Sequence, residues 1–266
     1  MSTSKIDPNA MRRIVLAESK RAHVGHIGSA LSIVDIVSVL YADVLRIPDP
    51  CDPERDRFVL SKGHAALALY AALTLKGFLS RQELSSYCTD GSLLGVHPER
   101  DLPGVDFTTG SLGHGLSFAA GAALAARLDR SDRRTYALLS DAECNEGSVW
   151  EAAMFAAHHR LFSLTAIVDC NGQQALGRTA DVLQMEPLAD RWQSFGWRPV
   201  EVDGHDPGAL KTAFAEAAAG ESPCAILART AAGKGVSFME GQVQWHYLPM
   251  TDEQYARACA EVVAGQ

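Results

Sequence analysis

Short apolar runs that stop at acidic or amide residues alternate with stretches of helical period along this chain. Ala137, Leu138 and Leu139 run into Ser140-Asp141, the way a buried parallel strand ends. Over residues 147–159, Val149, Trp150, Ala153, Ala156 and Ala157 recur on one stripe while Ser148, Glu151 and His158 fall off it, which predicts a helix. Residues 164–168 predict a second apolar strand, closed by Asp169-Cys170-Asn171. Strand, helix and strand of these lengths make a βαβ unit with a right-handed crossover, so Asp141 and Asn171 should share one rim of the sheet. Ligands of open α/β sheets bind at that rim.

The same alternation extends both ways. Asp7-Pro8 opens an amphipathic helix to about residue 21, the glycines of Gly25-His26-Ile27-Gly28-Ser29 interrupt it, and Ser32 is expected to cap a helix ending before Ile47-Pro48. Residues 56–60 predict a strand and 65–75 a helix; 116–127 predict a small-residue helix. Strands at 198–202 and 224–228 flank a helix at 207–219, a helix is expected at 188–195, and 252–263 form a last amphipathic helix. The expected fold is α/β, a parallel sheet with helices on both faces, in one domain spanning residues 1–266.

Composition narrows the partners. A formal net charge of -8 with interleaved signs and no Lys/Arg block argues against nucleic acid and anionic membrane. The polar start lacks a signal-peptide core, and the weakly apolar stretch 118–128 is too short to span a bilayer, so a cytoplasmic location is expected. The six cysteines show no zinc-like spacing and are expected as reduced thiols.

Asp141 and Asn171, about thirty residues apart, offer two hard oxygen donors suited to Mg2+ or Ca2+, above all with phosphate oxygens completing the shell. The backbone amides of Ala142 and Glu143 open the next turn and are candidates to face the same phosphates. Asp at a strand end also serves as a helix N-cap, and Asn-Gly as a plain turn, so spacing alone leaves both readings open.

The segment from Asp141 to Gln173, with its ECNEGSVWEAAMFAAHHRL interior, resembles the thiamine diphosphate motif of transketolases. That resemblance implies a divalent ion held by Asp141, Asn171 and the carbonyl of Gln173. Ser140 and Ala142 stand where the family has glycines, Cys170 where it usually has Asn. Further segments are similar to the family's: Gly25-His26-Ile27-Gly28, Ser61-Lys62-Gly63-His64, Gly95-Val96-His97-Pro98-Glu99, the turn around Gly110 and Leu112, and Trp245-His246. By resemblance, His26 and His97 reach the substrate, His64 lies over the diphosphate and reaction centre, and His246 touches the diphosphate. Gly110 and Leu112 meet the aminopyrimidine through main-chain atoms, and His114 faces the same pocket.

Three further departures, Ile27 for proline, Val96 for glycine and Tyr247 for glycine, bear on how firmly these loops are placed. The pyrimidine-binding domain, which carries the glutamate that activates the cofactor in this family, has no counterpart motifs here. The resemblance therefore implies the N-terminal subunit of a split transketolase, joined to a C-terminal subunit in an α2β2 heterotetramer. Glu146 resembles the glutamate that meets the partner's activating glutamate. The expected reaction is ketol transfer from a ketose or ketose phosphate to an aldose. Two alternatives stand beside it: thiamine-dependent glycolyl or acyl transfer or acyloin formation in a specialised pathway, and a non-catalytic scaffold.

Overall fold

The computed structural model describes residues 6–264; the outermost residues of the 1–266 span lie outside it. In chain order the elements are α1 (Pro8–Ala22), α2 (Ile27–Ser32), α3 (Val34–Val39), β1 (Arg57–Leu60), α4 (Ala66–Lys76), α5 (Arg81–Leu84) and α6 (Gly115–Leu128). Then come β2 (Thr135–Ser140), α7 (Gly147–His158), β3 (Leu164–Cys170), β4 (Gln173–Gln174), β5 (Gly177–Arg178), α8 (Thr179–Val182) and α9 (Leu188–Ser194). The chain closes with β6 (Arg198–Asp203), α10 (Pro207–Ala219), β7 (Cys224–Arg229) and α11 (Asp252–Ala264).

Five strands form one parallel sheet in the order β1-β2-β3-β7-β6, and β4 and β5 pair as a separate antiparallel hairpin. Side chains alternate across the sheet with period two, and both faces are covered. On one face Ala137, Leu139, Ala166, Val168, Ala225 and Leu227 pack under α6, α7 and α9. On the other, Leu138, Ile167, Ile226 and Ala228 meet α1 to α4 and α10. This is the α/β arrangement with helices on both faces.

Local chemistry explains the boundaries. Asp7 caps α1 through bonds to the amides of Asn9 and Ala10, with Pro8 at the first helical position, and Asp206-Pro207 repeats the device at α10. The register Ser140↔Asp169 brings the carboxyl ends of β2 and β3 to one edge, and Asp141 and Asn171 leave the sheet side by side.

One expected element differs. Ser32 does not cap a long helix; it ends α2, and the chain turns at Ile33 before α3 and a π turn at Leu40–Val44. Its hydroxyl is committed to Asp169 at 2.7 Å rather than to a helix amide. Ile27, in the proline position, opens α2 and is 1% exposed, so burial holds it where a proline ring would otherwise restrict φ. On α7 the buried stripe is Val149, Ala152, Ala153 and Ala156, while Trp150 lies at its margin, donating its indole N–H to the Cys144 carbonyl at 2.8 Å.

Candidate active site

A cleft of about 340 Å³ opens over the carboxyl edge of β1, β2 and β3. Three imidazoles meet in it. The His26 ring lies 5.3 Å from that of His64 and 4.9 Å from that of His246, and His64 and His246 are 5.4 Å apart. His26 has φ 61°, uncommon for a non-glycine residue, and its backbone N–H donates to the His246 carbonyl at 3.2 Å. Glycine at position 25 permits this approach, since a Cβ there would collide with the Tyr247 carbonyl oxygen. His64 is fixed by Ser29, whose hydroxyl lies 2.9 Å from Nε2.

Burial keeps these rings neutral. It lowers His64 to about 2, with Lys62 as the next cause, and His246 to about 4, with His26 next. His26 is lowered too, by burial and then by His97. At neutral pH these three rings act as hydrogen-bonding groups rather than cations.

His97 also lines the cleft, on a loop tied down by the Tyr70 hydroxyl, which lies 3.1 Å from the Gly95 carbonyl and 3.0 Å from that of His97. Val96 in place of glycine has not turned His97 out of the cleft. Gly110 and Leu112 line the same wall. A Cβ at position 110 would fall 2.9 Å from the His97 ring, so glycine leaves the main chain open at that point.

The acidic turn after β2 is also fully wired. Asp141 Oδ1 accepts the Ala142 N–H at 2.8 Å and Oδ2 accepts the Gly172 N–H at 2.8 Å, while Asn171 Oδ1 accepts the Gln173 N–H at 2.9 Å. Asp141, Asn171 and Gln173 thus form one knot on the rim. Burial first, and then the charge of Asp169, push Asp141 up to about 7. Ala142 is absent from the residues of positive φ, so alanine in the glycine position carries no left-handed strain.

Three expectations are corrected. The Ala142 N–H is donated to Asp141 Oδ1 at 2.8 Å and is not left free for a phosphate. The Glu143 N–H is donated to Ser140 Oγ at 3.0 Å and the residue is 0% exposed, so its amide faces no ligand. Its side chain instead joins three segments, accepting from Ser61 Oγ at 2.5 Å, Gly113 N at 2.8 Å and Ser140 N at 3.3 Å. His114 is exposed at the start of α6, its ring 6.5 Å from Phe118, and does not line the cleft. The helix entry that holds Gly113 inward swings the next side chain outward.

Several cleft residues carry no role on sequence grounds alone: Ser29, Lys62, Asn145, Gln174 and Gln242. Lys62 is 1% exposed and pairs with Asp169 at 2.6 Å. The signal was present in the pattern, since a lysine at one strand end and an aspartate inside an otherwise apolar strand require each other when both are buried. Glu146 stands exposed at the cleft mouth with no ion-pair partner among the described residues.

The cleft fits a polar cofactor on its own chemistry. His26 Nδ1, Asn145 Oδ1 and Gln174 Nε2 are buried without hydrogen-bond partners, and all three residues line it. Buried polar groups left unpaired are costly, and three of them on residues that line one cleft fit a polar ligand bound there. Among the described residues no three His, Cys, Asp or Glu side chains gather as a metal cluster, and the hard-donor set of Asp141, Asn171 and the Gln173 carbonyl is of a different kind. No helix among them is long and apolar enough to cross a membrane.

Comparison with known proteins agrees with this geometry. Residues 4–262 match the family model described as transketolase, thiamine diphosphate binding domain. The chain is 40% identical to an apulose-4-phosphate transketolase subunit of Phocaeicola vulgatus, over 98% of this chain and 94% of that one. It is 41% identical to the 6-deoxy-6-sulfo-D-fructose transketolase subunit SqwG of a Clostridium species, covering 98% of each. The solved transketolase of Leishmania mexicana superposes with a TM-score of 0.90 at 32% identity, over 99% of this chain but only 41% of that one. The chain belongs to the transketolase family, as a transketolase-type transferase subunit built on the N-terminal thiamine diphosphate-binding domain.

Proposed function

We propose that this chain is the diphosphate- and metal-binding half of a two-subunit, Mg2+-dependent transketolase that moves a two-carbon ketol unit from a ketose or ketose phosphate to an aldose. The observation that carries this reading is the three-imidazole cleft with its three unpartnered polar atoms. Thiamine diphosphate, when bound, supplies the carbanion stabilisation that no side chain offers.

The chain's own residues bind and orient. Asp141, Asn171 and the Gln173 carbonyl would hold the divalent ion; His64, His246, Gly110 and Leu112 would hold the cofactor, with Ala142 lining the cleft while its N–H stays on Asp141. His26 and His97, which both line the cleft, would meet substrate hydroxyls and shift protons there. Named relatives act on apulose-4-phosphate and 6-deoxy-6-sulfo-D-fructose, which supports a ketose bearing an anionic group as donor. The departures at Ile27, Val96, Ala142, Cys170 and Tyr247 keep glycolyl or acyl transfer, or acyloin formation, as the second reading.

The partner reading rests on Glu146 and its surroundings. Its carboxylate is exposed beside Leu112 at the cleft mouth, and Phe118, Met154 and Phe155 on α6 and α7 are 38%, 51% and 40% exposed. A second polypeptide carrying the pyrimidine-binding domain, in an α2β2 assembly, would cover this face. The test is to purify the chain from its native cell with what accompanies it, and to measure thiamine diphosphate, Mg2+ and ketol transfer from ketose phosphates. About one cofactor per chain with a companion polypeptide, and turnover, is expected. A companion complex that neither contains nor binds the cofactor would overturn the proposal.

A further inference from the structure

Beneath the rim lies a buried polar network centred on Asp169, of whose members only Asn171 has a task among the proposed cofactor, metal and substrate contacts. Asp169, 0% exposed near the end of β3, has both carboxylate oxygens fully engaged. Oδ1 accepts the Ser32 hydroxyl at 2.7 Å and the Thr230 hydroxyl; Oδ2 accepts the Lys62 ammonium at 2.6 Å and the Asn171 amide nitrogen at 2.9 Å. Lys62 supplies the counter-charge a buried carboxylate needs and also reaches the Ser29 carbonyl at 3.4 Å. Asn171 Nδ2 lies a further 3.3 Å from Ser32 Oγ.

An asparagine amide can be seated two ways, and its neighbours decide which. A carboxylate only accepts, so the nitrogen of Asn171 must face Asp169. Its oxygen then faces the rim, where it accepts the Gln173 N–H at 2.9 Å. Gly172, at φ 72°, turns the chain between them and places its N–H on Asp141 Oδ2. Position 171 is therefore oriented from below by Asp169 and from above by the backbone of its own turn.

We infer that Asp169, clamped by Lys62, Ser32 and Thr230, is a positioning residue that fixes the Asn171 amide with its oxygen toward the cation side of the rim. The inference rests on the proposed occupation of that rim by a divalent ion with the diphosphate. An amide free to turn would present its NH2 half to the cation, which cannot be a ligand. Outer partners of this type contribute about 10–100-fold to metal affinity.

Mn2+ is the probe, with its affinity read by water-proton relaxation on the full chain together with its companion polypeptide, at saturating thiamine diphosphate. Asp169→Asn offers Asn171 a donor as well as an acceptor, and should weaken Mn2+ binding about 10–100-fold. In an Asn171→Ala background the same change should add less than about twofold, because the effect passes through Asn171. Lys62→Met/Asp169→Leu removes both charges and leaves no buried ion unpaired. It should lose Mn2+ affinity to a similar degree while the Tm of the metal-free protein stays close to that of the wild type, which a merely structural role would not produce.

Unchanged Mn2+ affinity in Asp169→Asn, or an undiminished loss in the Asn171→Ala background, overturns the inference. Failure of the underlying reading shows separately, as a wild-type protein that takes up no Mn2+ or an Asp141→Asn variant that binds it as the wild type does.

Discussion

Replacing Asp141 by asparagine should make the metal-free chain more stable, relative to wild type, as pH rises. Burial, and next the charge of Asp169, lift this carboxyl from its ordinary 3.8 to about 7. Below about pH 4 the group is protonated in both folded and unfolded chains and contributes nothing to the difference. Between about pH 4 and 7 the unfolded chain releases its proton while the folded chain holds it, so wild-type stability falls by about 1.4 kcal/mol per pH unit. The full penalty, reached above about pH 7, is roughly 4 kcal/mol.

Asparagine has no such pH-dependent contribution. It loses one of the two hydrogen bonds that Asp141 accepts from Ala142 and Gly172, at about 1–3 kcal/mol, but that offset does not vary with pH. Urea unfolding of both proteins between about pH 5 and pH 8 should show the gap moving roughly 3 kcal/mol in favour of the variant. Mg2+ with thiamine diphosphate should reverse the order, since only the wild type gains from binding. A gap that stays flat with pH would refute the argument, because the rim carboxylate would then not be held at the energetic disadvantage that cation binding relieves.

Two further outcomes are expected. His64 is lowered from 6.5 to about 2, so its ring should stay neutral in 15N-histidine spectra down to about pH 5, and the chain should lose stability as pH falls below about 6.5, where only the unfolded His64 takes up a proton; titration of His64 near 6.5 would contradict the burial argument. Gly110→Ala places a methyl 2.9 Å from the His97 ring, and the displacement should weaken thiamine diphosphate binding by about 1–3 kcal/mol, roughly 5- to 150-fold, in a fluorescence titration.

The central strands β2, β3 and β7 were legible because they are buried on both faces and read as largely apolar runs, while α7 announces itself by its period and α10 by its Asp206-Pro207 cap. Placing Asp141 beside Asn171 followed from the handedness of one βαβ unit. The break between α2 and α3 was not legible, because Ser32 looks like a helix cap and is in fact a ligand of Asp169 across 137 residues of chain. Glu143 misled for the same reason: its position predicts a free amide at a helix entry, whereas its side chain and N–H are both consumed by Ser61, Gly113 and Ser140.

What the sequence by itself determined is therefore the local and the periodic: the order of strands and helices, the acidic rim, and the histidines that resemble a known set. Tertiary structure alone decided which polar groups find one another. Lys62 and Asp169 are 107 residues apart, and His26 meets His246 across most of the chain. Such pairings depend on the direction of each side chain after the sheet has closed and the helices have packed, and no local period encodes that. It also decided which groups stay unpaired: His26 Nδ1, Asn145 Oδ1 and Gln174 Nε2 are buried on residues of one cleft with no protein partner within reach.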